Sequence, residues 1–454
     1  MRMCILGGGG YLGQLLAQAL QNEGGHFVVL FDLNFFASFP HIKLNEELTQ
    51  RIEGSIERSD QLIEALTGCD ACFHLAGYGM SGGPSLNKEK CFAINYWGTK
   101  NVIEICKNLG VSRLVFTSSV VVIFDGHTEL YMADEDTPYL QSSQYGNYYA
   151  ESKSAAEQLI LAENCPPKFS TCALRLRGIY GPGEVRCVQT FCARVLLLAD
   201  FLCKNVLVTF WKSDVPLTQF SSAENTVNAL LLSEQSLRYP NSPAAGNKYH
   251  IVDGGPPVHS WGFWNPLATA LNCSSNCIRA PYSVIYAFAF LCELMYRWFG
   301  IEPHLTRFEC AIVGVTNTFS CQRAMRDFGY NPIRSHDLHS TIDFCLKQKE
   351  VQSKLKSRQQ INENDDKKYP IDLTVSFNSI FSPINWIWVA WIVDSICSTK
   401  GLIILSKCAF LFLLLLIAGA GSVAHQTSTF VAAHRWWTFF LENFWMKLYF
   451  NFFK

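Results

Sequence analysis

The sequence predicts an α/β protein: a Rossmann-type doubly wound parallel sheet with a smaller C-terminal substrate lobe and a C-terminal membrane-anchoring helical segment. Three observations predict it. A strand runs straight into a glycine turn and a helix at the start of the chain (MCILGGGGYLG, 3–13). Further apolar strands recur at intervals suited to βαβ units. Near the other end, Cys408 to Ala424 carries no charged residue at all.

The first strand ends at Leu6, and the helix begins near Tyr11. Gly7, Gly10 and Gly13 fit the spacing G-x-x-G-x-x-G. Gly7 permits the tight turn, Gly10 lets the backbone approach a pyrophosphate, and Gly13 lets the helix pack close to the sheet. The helix N-terminus offers unpaired N–H groups and a positive dipole end to phosphates. After the helix, HFVVLFD (26–32) is a second strand ending at Asp32. An acid there reaches the ribose hydroxyls of the adenosine half and repels a 2′-phosphate. Leu33, Asn34, Phe35 and Phe36 follow with no arginine, so NAD is favoured over NADP.

Two later strands are CDACFHLAG (69–77) and VSRLVFTSS (111–119), with a helix from roughly Leu86 to Leu109 between them. Asn147-Tyr-Tyr-Ala-Glu-Ser-Lys153 then opens a long helix whose apolar positions continue through Ala156, Leu159 and Ile160. Tyr149 and Lys153 lie four apart and share a helix face. An unperturbed phenol titrates near 10 and is a poor base at neutral pH. A nearby ammonium and a positive nicotinamide ring favour the phenolate. Ser119, at the C-terminal end of its strand, can hold a substrate oxygen where open α/β sheets bind their ligands.

Composition bounds the class. The chain has 454 residues, 49% apolar and 17% charged, with a net charge of −1. No basic stripe suggests nucleic acid as a partner. Eighteen cysteines could mean a disulfide framework, but Cys4 and Cys72 fall in strands and Cys106 and Cys345 in helical patterns, so buried free thiols are expected. No C-x-x-C or Cys/His cluster with zinc spacing stands out, and no metal is expected. Residues 1–6 run directly into glycines and leave no room for a signal peptide, so the catalytic portion is expected to face the cytosol.

The pattern resembles the extended short-chain dehydrogenases/reductases, specifically the 3β-hydroxysteroid dehydrogenase/isomerase branch and its sterol dehydrogenase-like 42E subfamily. GGGGYLG (7–13), FHLAGYGMSG (73–82), NYWGTKN (95–101), FTSS (116–119), VIFDG (122–126), YYAESK (148–153), LRGIYGPGE (176–184) and DFGYNP (327–332) carry the resemblance, which spans roughly residues 1–347. It implies a catalytic set of Ser119, Tyr149 and Lys153, with Tyr149 as acid/base and Lys153 also on the nicotinamide ribose. Its implied NAD site comprises Gly7, Gly10, Tyr11, Leu12, Gly13, Asp32, Ile56, Leu75, Ala76, Tyr149 and Lys153. A homodimer through the helix carrying Tyr149 is implied as well. The chain departs from the family pattern at Leu6 (usually Thr), Ser55 (usually Asp), Leu176 (usually Pro) and the stretch Ser221–Asn225. These changes imply looser cofactor binding, and none removes a catalytic group.

The NAD-binding core is expected mainly within 1–177 and the substrate lobe within 178–347. Phe201, Phe210, Trp211, Trp261, Phe263 and Trp264 make the lobe suited to a flat apolar substrate or to an ordinary core. Pro281–Gly300 is almost wholly apolar and reads as a helix resting on a membrane or lining the substrate entrance, because dehydrogenase-like sequence resumes after it. Residues 348–380 form a polar linker, and 381–454 a membrane-associated region with a transmembrane helix at about 402–424. Lys407 can snorkel to the headgroups, and INWIWVAWIV (384–393) suits the interface. The resulting expectation is a protein anchored in the endoplasmic reticulum that oxidises a 3β-hydroxyl of a steroid or sterol, with or without a Δ5–Δ4 isomerisation. Decarboxylating oxidation of a sterol 4-carboxylate, another carbonyl reduction, and a non-catalytic dinucleotide-binding protein stand as alternatives.

Overall fold

Seven strands form one sheet, apolar in its interior and polar at its edges: β1 (Arg2–Leu6), β2 (Phe27–Asp32), β3 (Thr49–Glu53), β4 (Ala71–His74), β5 (Arg113–Ser119), β6 (Ser170–Leu176) and β7 (Asn247–Ile251). The computed structural model describes residues 1–35, 39, 41–184, 206–270, 276–348 and 350. The strand order is β3-β2-β1-β4-β5-β6-β7, and every neighbouring pair is parallel. A sheet covered on both faces needs strands that are apolar throughout rather than alternating. All of β4 and β6 is accordingly buried.

Helices α1 (Tyr11–Gly24), α2 (Ser59–Leu66), α3 (Thr99–Leu109), α4 (Tyr148–Ala162) and α5 (Ala223–Leu237) supply the covers. Alternate strand residues sort them. Met3, Ile5, Val28 and Leu30 pack with Leu16 and Leu20 of α1 and Leu230 of α5. Cys4, Leu6, Val29 and Phe31 pack with Leu62 of α2, Val102 of α3 and Ile160 of α4. The sheet order reverses at β1, where one crossover proceeds to β2 and a later one to β4. Open α/β sheets place their ligands at such a reversal, outside the C-terminal strand ends.

A second, four-stranded sheet joins Val258–His259, Leu217–Thr218, Asn317–Phe319 and Leu130–Ala133 in that order. Around it lie α6 (Ser260–Ala270), α7 (Tyr282–Phe299) and α8 (Arg307–Gly314). Asn225, fully buried at the start of α5, ties the segment at Ile333 and Arg334 to the main sheet. Its Nδ2 donates to Asp253 Oδ1 at 2.6 Å and to the Arg334 carbonyl at 2.8 Å, and its Oδ1 accepts from Ile333 N and Arg334 N at 2.7 and 3.0 Å.

Several expectations change. The helix expected over 86–109 is broken: a 3-10 turn at Gly83–Leu86, one α-helical turn at Lys88–Cys91 and a π-helical turn at Phe92–Gly98 precede α3. Pro281–Gly300 does form a helix, closed by Gly300 in the left-handed region, and among the described residues no helix is long and apolar enough to cross a membrane. The linker and the run at 402–424 lie outside the described residues, as do Phe36 and Phe201. Cys4, Cys72 and Cys106 are buried free thiols, and Cys345 is half-buried. Cys69 and Cys72 do have C-x-x-C spacing, but among the described residues no group of three or more ligating side chains could hold a metal.

Asn225→Ala leaves the buried Asp253 carboxylate and two backbone N–H groups short of partners. It should lower stability by about 2–4 kcal/mol, read as a lower midpoint in urea unfolding.

Candidate active site

The turn after β1 is built by close backbone approach. Gly7 has φ +88°, and a Cβ there would meet Ala76 N at 2.8 Å. Gly7 N–H donates to the Phe31 carbonyl at 2.8 Å. The Leu6 carbonyl accepts from both Leu75 N and Ala76 N at 2.8 Å, so Leu75 and Ala76 line the same corner. Leu6 itself is wholly buried, its side chain in the sheet core. Gly13 acts differently from expectation: a Cβ there would strike Gly7 O and Gly8 Cα at 2.4 and 2.8 Å, so it seats α1 on the turn and not on the sheet. Gly9 is equally confined, with Asn34 O 2.5 Å from such a carbon. Gly10 alone of this group faces open space, with only Gly7 O at 3.4 Å. A side chain at Gly10 would fill the space a pyrophosphate needs.

Asp32 closes β2. Its Oδ2 accepts from Gly9 N at 2.9 Å and its Oδ1 from Leu33 N at 2.8 Å. Each carboxylate oxygen keeps a further lone pair for a ribose hydroxyl. Leu12 packs against the core, while the Tyr11 hydroxyl donates to Pro182 O at 3.0 Å, so Tyr11 serves the cradle through its backbone at the first helical turn. Ile56 is buried, and it fills the space above Gly98, where a Cβ would meet its Cδ1 at 2.7 Å. Ser55 turns its hydroxyl to Glu57.

The reacting groups stand on β5 and α4. Asn147 caps α4, its Oδ1 accepting from Ala150 N at 2.8 Å. That fixes the first turn, from which Tyr149 points inward, 8% exposed, beside Cys91, Val121 and Phe308. Burial pushes the Tyr149 phenol up to about 12, opposed by a hydrogen bond with the Ser119 hydroxyl and reinforced by the nearby Cys91 thiol. Ser119 ends β5 and caps a 3-10 turn, accepting from Val121 N at 3.5 Å. One turn along α4, Lys153 is 4% exposed, and its Nζ donates to Thr117 O at 2.6 Å over the Phe116 ring. Burial pulls its ammonium down to about 7, with Glu157 acting the other way. Burial by itself keeps the Tyr149 phenol protonated at neutral pH, and Lys153 is bonded to the β5 carbonyl two residues before Ser119.

Two residues escaped the sequence reading. Asn95 sits in the π-helical turn, with Oδ1 accepting from Tyr78 N at 2.8 Å and Nδ2 donating to Tyr78 O and Ser152 Oγ, both at 2.9 Å. π-Turns cluster at functional sites but have no 3.6-residue signature. His74 Nε2 meets Thr99 Oγ1 at 2.9 Å, and the Thr99 proton goes to Asn95 O at 2.6 Å, so His74 is the donor and is neutral. Burial and Lys153 hold it down to about 3.

The upper wall comes from far along the chain. Glu309 Oε1 accepts from Gly82 N at 3.0 Å and Glu302 Oε1 from Gly83 N at 2.8 Å, strapping the loop after β4 to α8 and the turn before it. Of the two readings open for the lobe aromatics, core packing holds for most of those described. Phe263 stacks on Phe220 at 4.1 Å beside Trp264, while Phe210 packs on Trp261, whose Nε1 donates to Phe210 O at 3.0 Å. Trp211 remains half-buried. A cavity of about 320 Å³ lies between α1 and α5 under Tyr180 and His41, and its walls include none of Ser119, Tyr149 or Lys153.

Comparison with known proteins agrees with this arrangement. Residues 4–281 match the model of the 3-beta hydroxysteroid dehydrogenase/isomerase family. The chain is 35% identical over 341 residues to "Short-chain dehydrogenase/reductase family 42E member 1" of Xenopus laevis, covering 72% of this chain and 84% of that one. It is 31% identical over 339 residues to "Sterol-4-alpha-carboxylate 3-dehydrogenase, decarboxylating" of Mus musculus, covering 73% and 87%. A solved short-chain dehydrogenase/reductase superfamily protein of Agrobacterium tumefaciens, with bound NAD, shares the fold at a TM-score of 0.57 and 18% identity, covering 78% of this chain and 100% of that one.

The open space at Gly10 and the contacts at Gly13 separate binding from folding. Gly10→Val should weaken dinucleotide affinity by about tenfold or more at an unchanged melting temperature. Gly13→Val should itself cost about 1–3 kcal/mol of stability, seen as earlier melting without any ligand.

Proposed function

From the premise that this chain belongs to the 3-beta hydroxysteroid dehydrogenase/isomerase family, we propose that it is an NAD-dependent oxidoreductase that oxidises a 3β-hydroxyl on a steroid or sterol. The observation that carries the reading is the bond from Lys153 Nζ to the Thr117 carbonyl at 2.6 Å, which ties the helix bearing Tyr149 to the strand that ends at Ser119.

The residues that would hold NAD are those of the Gly7–Gly13 turn and Asp32, and NAD would supply the hydride acceptor. The chain's own groups do the rest. Ser119 Oγ positions the substrate oxygen against the Tyr149 hydroxyl, and the Tyr149 oxygen takes the proton as the carbonyl forms. Lys153 supplies the positive charge that favours the phenolate. Leu6 and Ser55 leave the main cradle contacts intact, because the turn is held by backbone groups and Asp32.

A second reading, oxidation of a sterol 4-carboxylate, is favoured by the likeness to the mouse relative, whose name describes that reaction. It needs no additional acid or base, since a 3-ketone beside a 4-carboxylate loses carbon dioxide once formed. Membrane attachment belongs to the same proposal. The apolar run at 402–424 and the exposed Phe290, Trp298, Phe299 and Ile301 on and after α7 support delivery of a lipid-soluble substrate from the endoplasmic reticulum membrane to a cytosolic domain.

A panel of sterol alcohols and 4-carboxylates, assayed for NADH and carbon dioxide, tests the function. Tyr149→Phe should cut NADH formation by about 10²- to 10⁴-fold with NAD affinity nearly intact. Unchanged turnover would falsify the assignment, and NAD binding without turnover on any substrate would favour a non-catalytic protein. For the anchor, replacing Leu413 and Leu415 with Lys should release the full-length protein from carbonate-washed membranes. Retention of that variant would remove the proposed span.

A further inference from the structure

We propose that Glu157, locked in place by Arg175 and Tyr139, is the positioning residue that keeps Lys153 in its ammonium form. The inference rests on the reading of Tyr149 and Lys153 as the reacting pair, and it explains a buried ion pair that the reaction itself does not use.

Lys153 and Glu157 lie one turn apart on the inner face of α4, 4% and 0% exposed. The other groups packed around Lys153 carry no charge. On β4, His74 is held neutral. On β5, the Phe116 ring centroid lies 4.1 Å from Nζ, and the Thr117 carbonyl takes its hydrogen bond. In the π-helical turn, Asn95 offers an amide, and on α4 the buried Tyr149 phenol is protonated at neutral pH. An ammonium so placed loses its proton readily, because burial penalises the charged form. Glu157 is the carboxylate whose charge acts on Lys153 among the described residues.

A buried carboxylate is costly unless it is paired. Arg175, on β6 and also 0% exposed, pairs with Glu157. Its Nε reaches Glu157 Oε1 and Oε2 at 2.9 and 3.2 Å, and Nη2 reaches Oε1 at 2.7 Å. The Tyr139 hydroxyl adds a bond to Oε1 at 2.7 Å. Arg175 Nη1 faces His250 Nε2 at 3.3 Å, an imidazole kept neutral by burial. Charges thus alternate along the buried face: Lys153, Glu157, Arg175. Buried ion pairs are often no more stabilising than apolar side chains of equal size, so this pair gains its value from the neighbouring lysine.

The test titrates Lys153 directly. Full-length protein in detergent micelles, labelled with ¹³Cε-lysine, gives a Lys153 resonance identified by its loss in Lys153→Arg. Without cofactor, its midpoint should lie near 7. The double variant Glu157→Met/Arg175→Met, which removes both charges and avoids an unpaired one, should move the midpoint down by about one pH unit. Tyr139→Phe, which keeps the charge, should leave it in place. If the double variant does not fold, Glu157→Asp gives the reading: a smaller downward shift supports the proposal, and an unmoved midpoint overturns it. An unmoved midpoint in a natively folded double variant overturns it too. Turnover on the same samples separates this inference from the function it rests on. A midpoint that falls in a wild-type background lacking any dehydrogenase activity keeps the electrostatic link and removes the enzymatic reading. Active wild type with an unmoved midpoint does the reverse.

Discussion

The Leu6 carbonyl accepts two hydrogen bonds, from Leu75 and Ala76, and everything functional hangs from that junction. It brings the end of β4 against the end of β1 just where the sheet order reverses. Gly7 must then turn within van der Waals range of Ala76 backbone, and Gly13 must seat α1 on the turn. Once the two strand ends are this close, the helix start and the acid at the end of β2 face one cleft. The next strand, β5, brings Thr117 and Ser119 to its rim. No side chain heavier than hydrogen fits at the crossing points, so the cleft's geometry is set by backbone contacts, which are stiffer than side-chain packing.

Burial supplies the second constraint. The reacting tyrosine and lysine are nearly as inaccessible as the core around them, and each is driven toward its neutral form. In a polar cleft the lysine would hold its charge without help. Here its charge depends on whatever opposite charge the interior can keep ionised, and that is a question of three residues on α4 and β6, not of solvent.

Local spacing made much of this legible in the sequence. The glycine turn, Asp32, the strand ending in Thr-Ser-Ser and the four-residue step from Tyr149 to Lys153 are all short-range patterns, and each falls on the kind of element its spacing implies. Gly13 was assigned to the wrong neighbour, because spacing says that a close approach occurs but not to what. Asn95 was invisible because a π-turn has a period that no helical pattern tests. Glu157 stands at the same four-residue step from Lys153 that linked Tyr149 to it, yet its partner Arg175 is on a strand reached only by folding. The lobe aromatics left two readings open because hydrophobicity alone does not distinguish a lining from a core. Two hydrogen bonds spanning more than two hundred residues, from Gly82 and Gly83 to Glu309 and Glu302, have no signature in either segment.

Those two straps carry a consequence for how such proteins can be recombined. Glu309 caps its own helix with one oxygen and the loop after β4 with the other. The loop's N–H groups belong to the nucleotide-binding half of the chain, while the carboxylates belong to the half that follows. A chimera joined anywhere between them, with the second half taken from a relative lacking acids at these places, inherits a loop with two bare donors beside its reacting tyrosine. Exchanging substrate preference between relatives therefore requires moving residues 78–87 together with 302–309 as one unit, although they are distant in the chain.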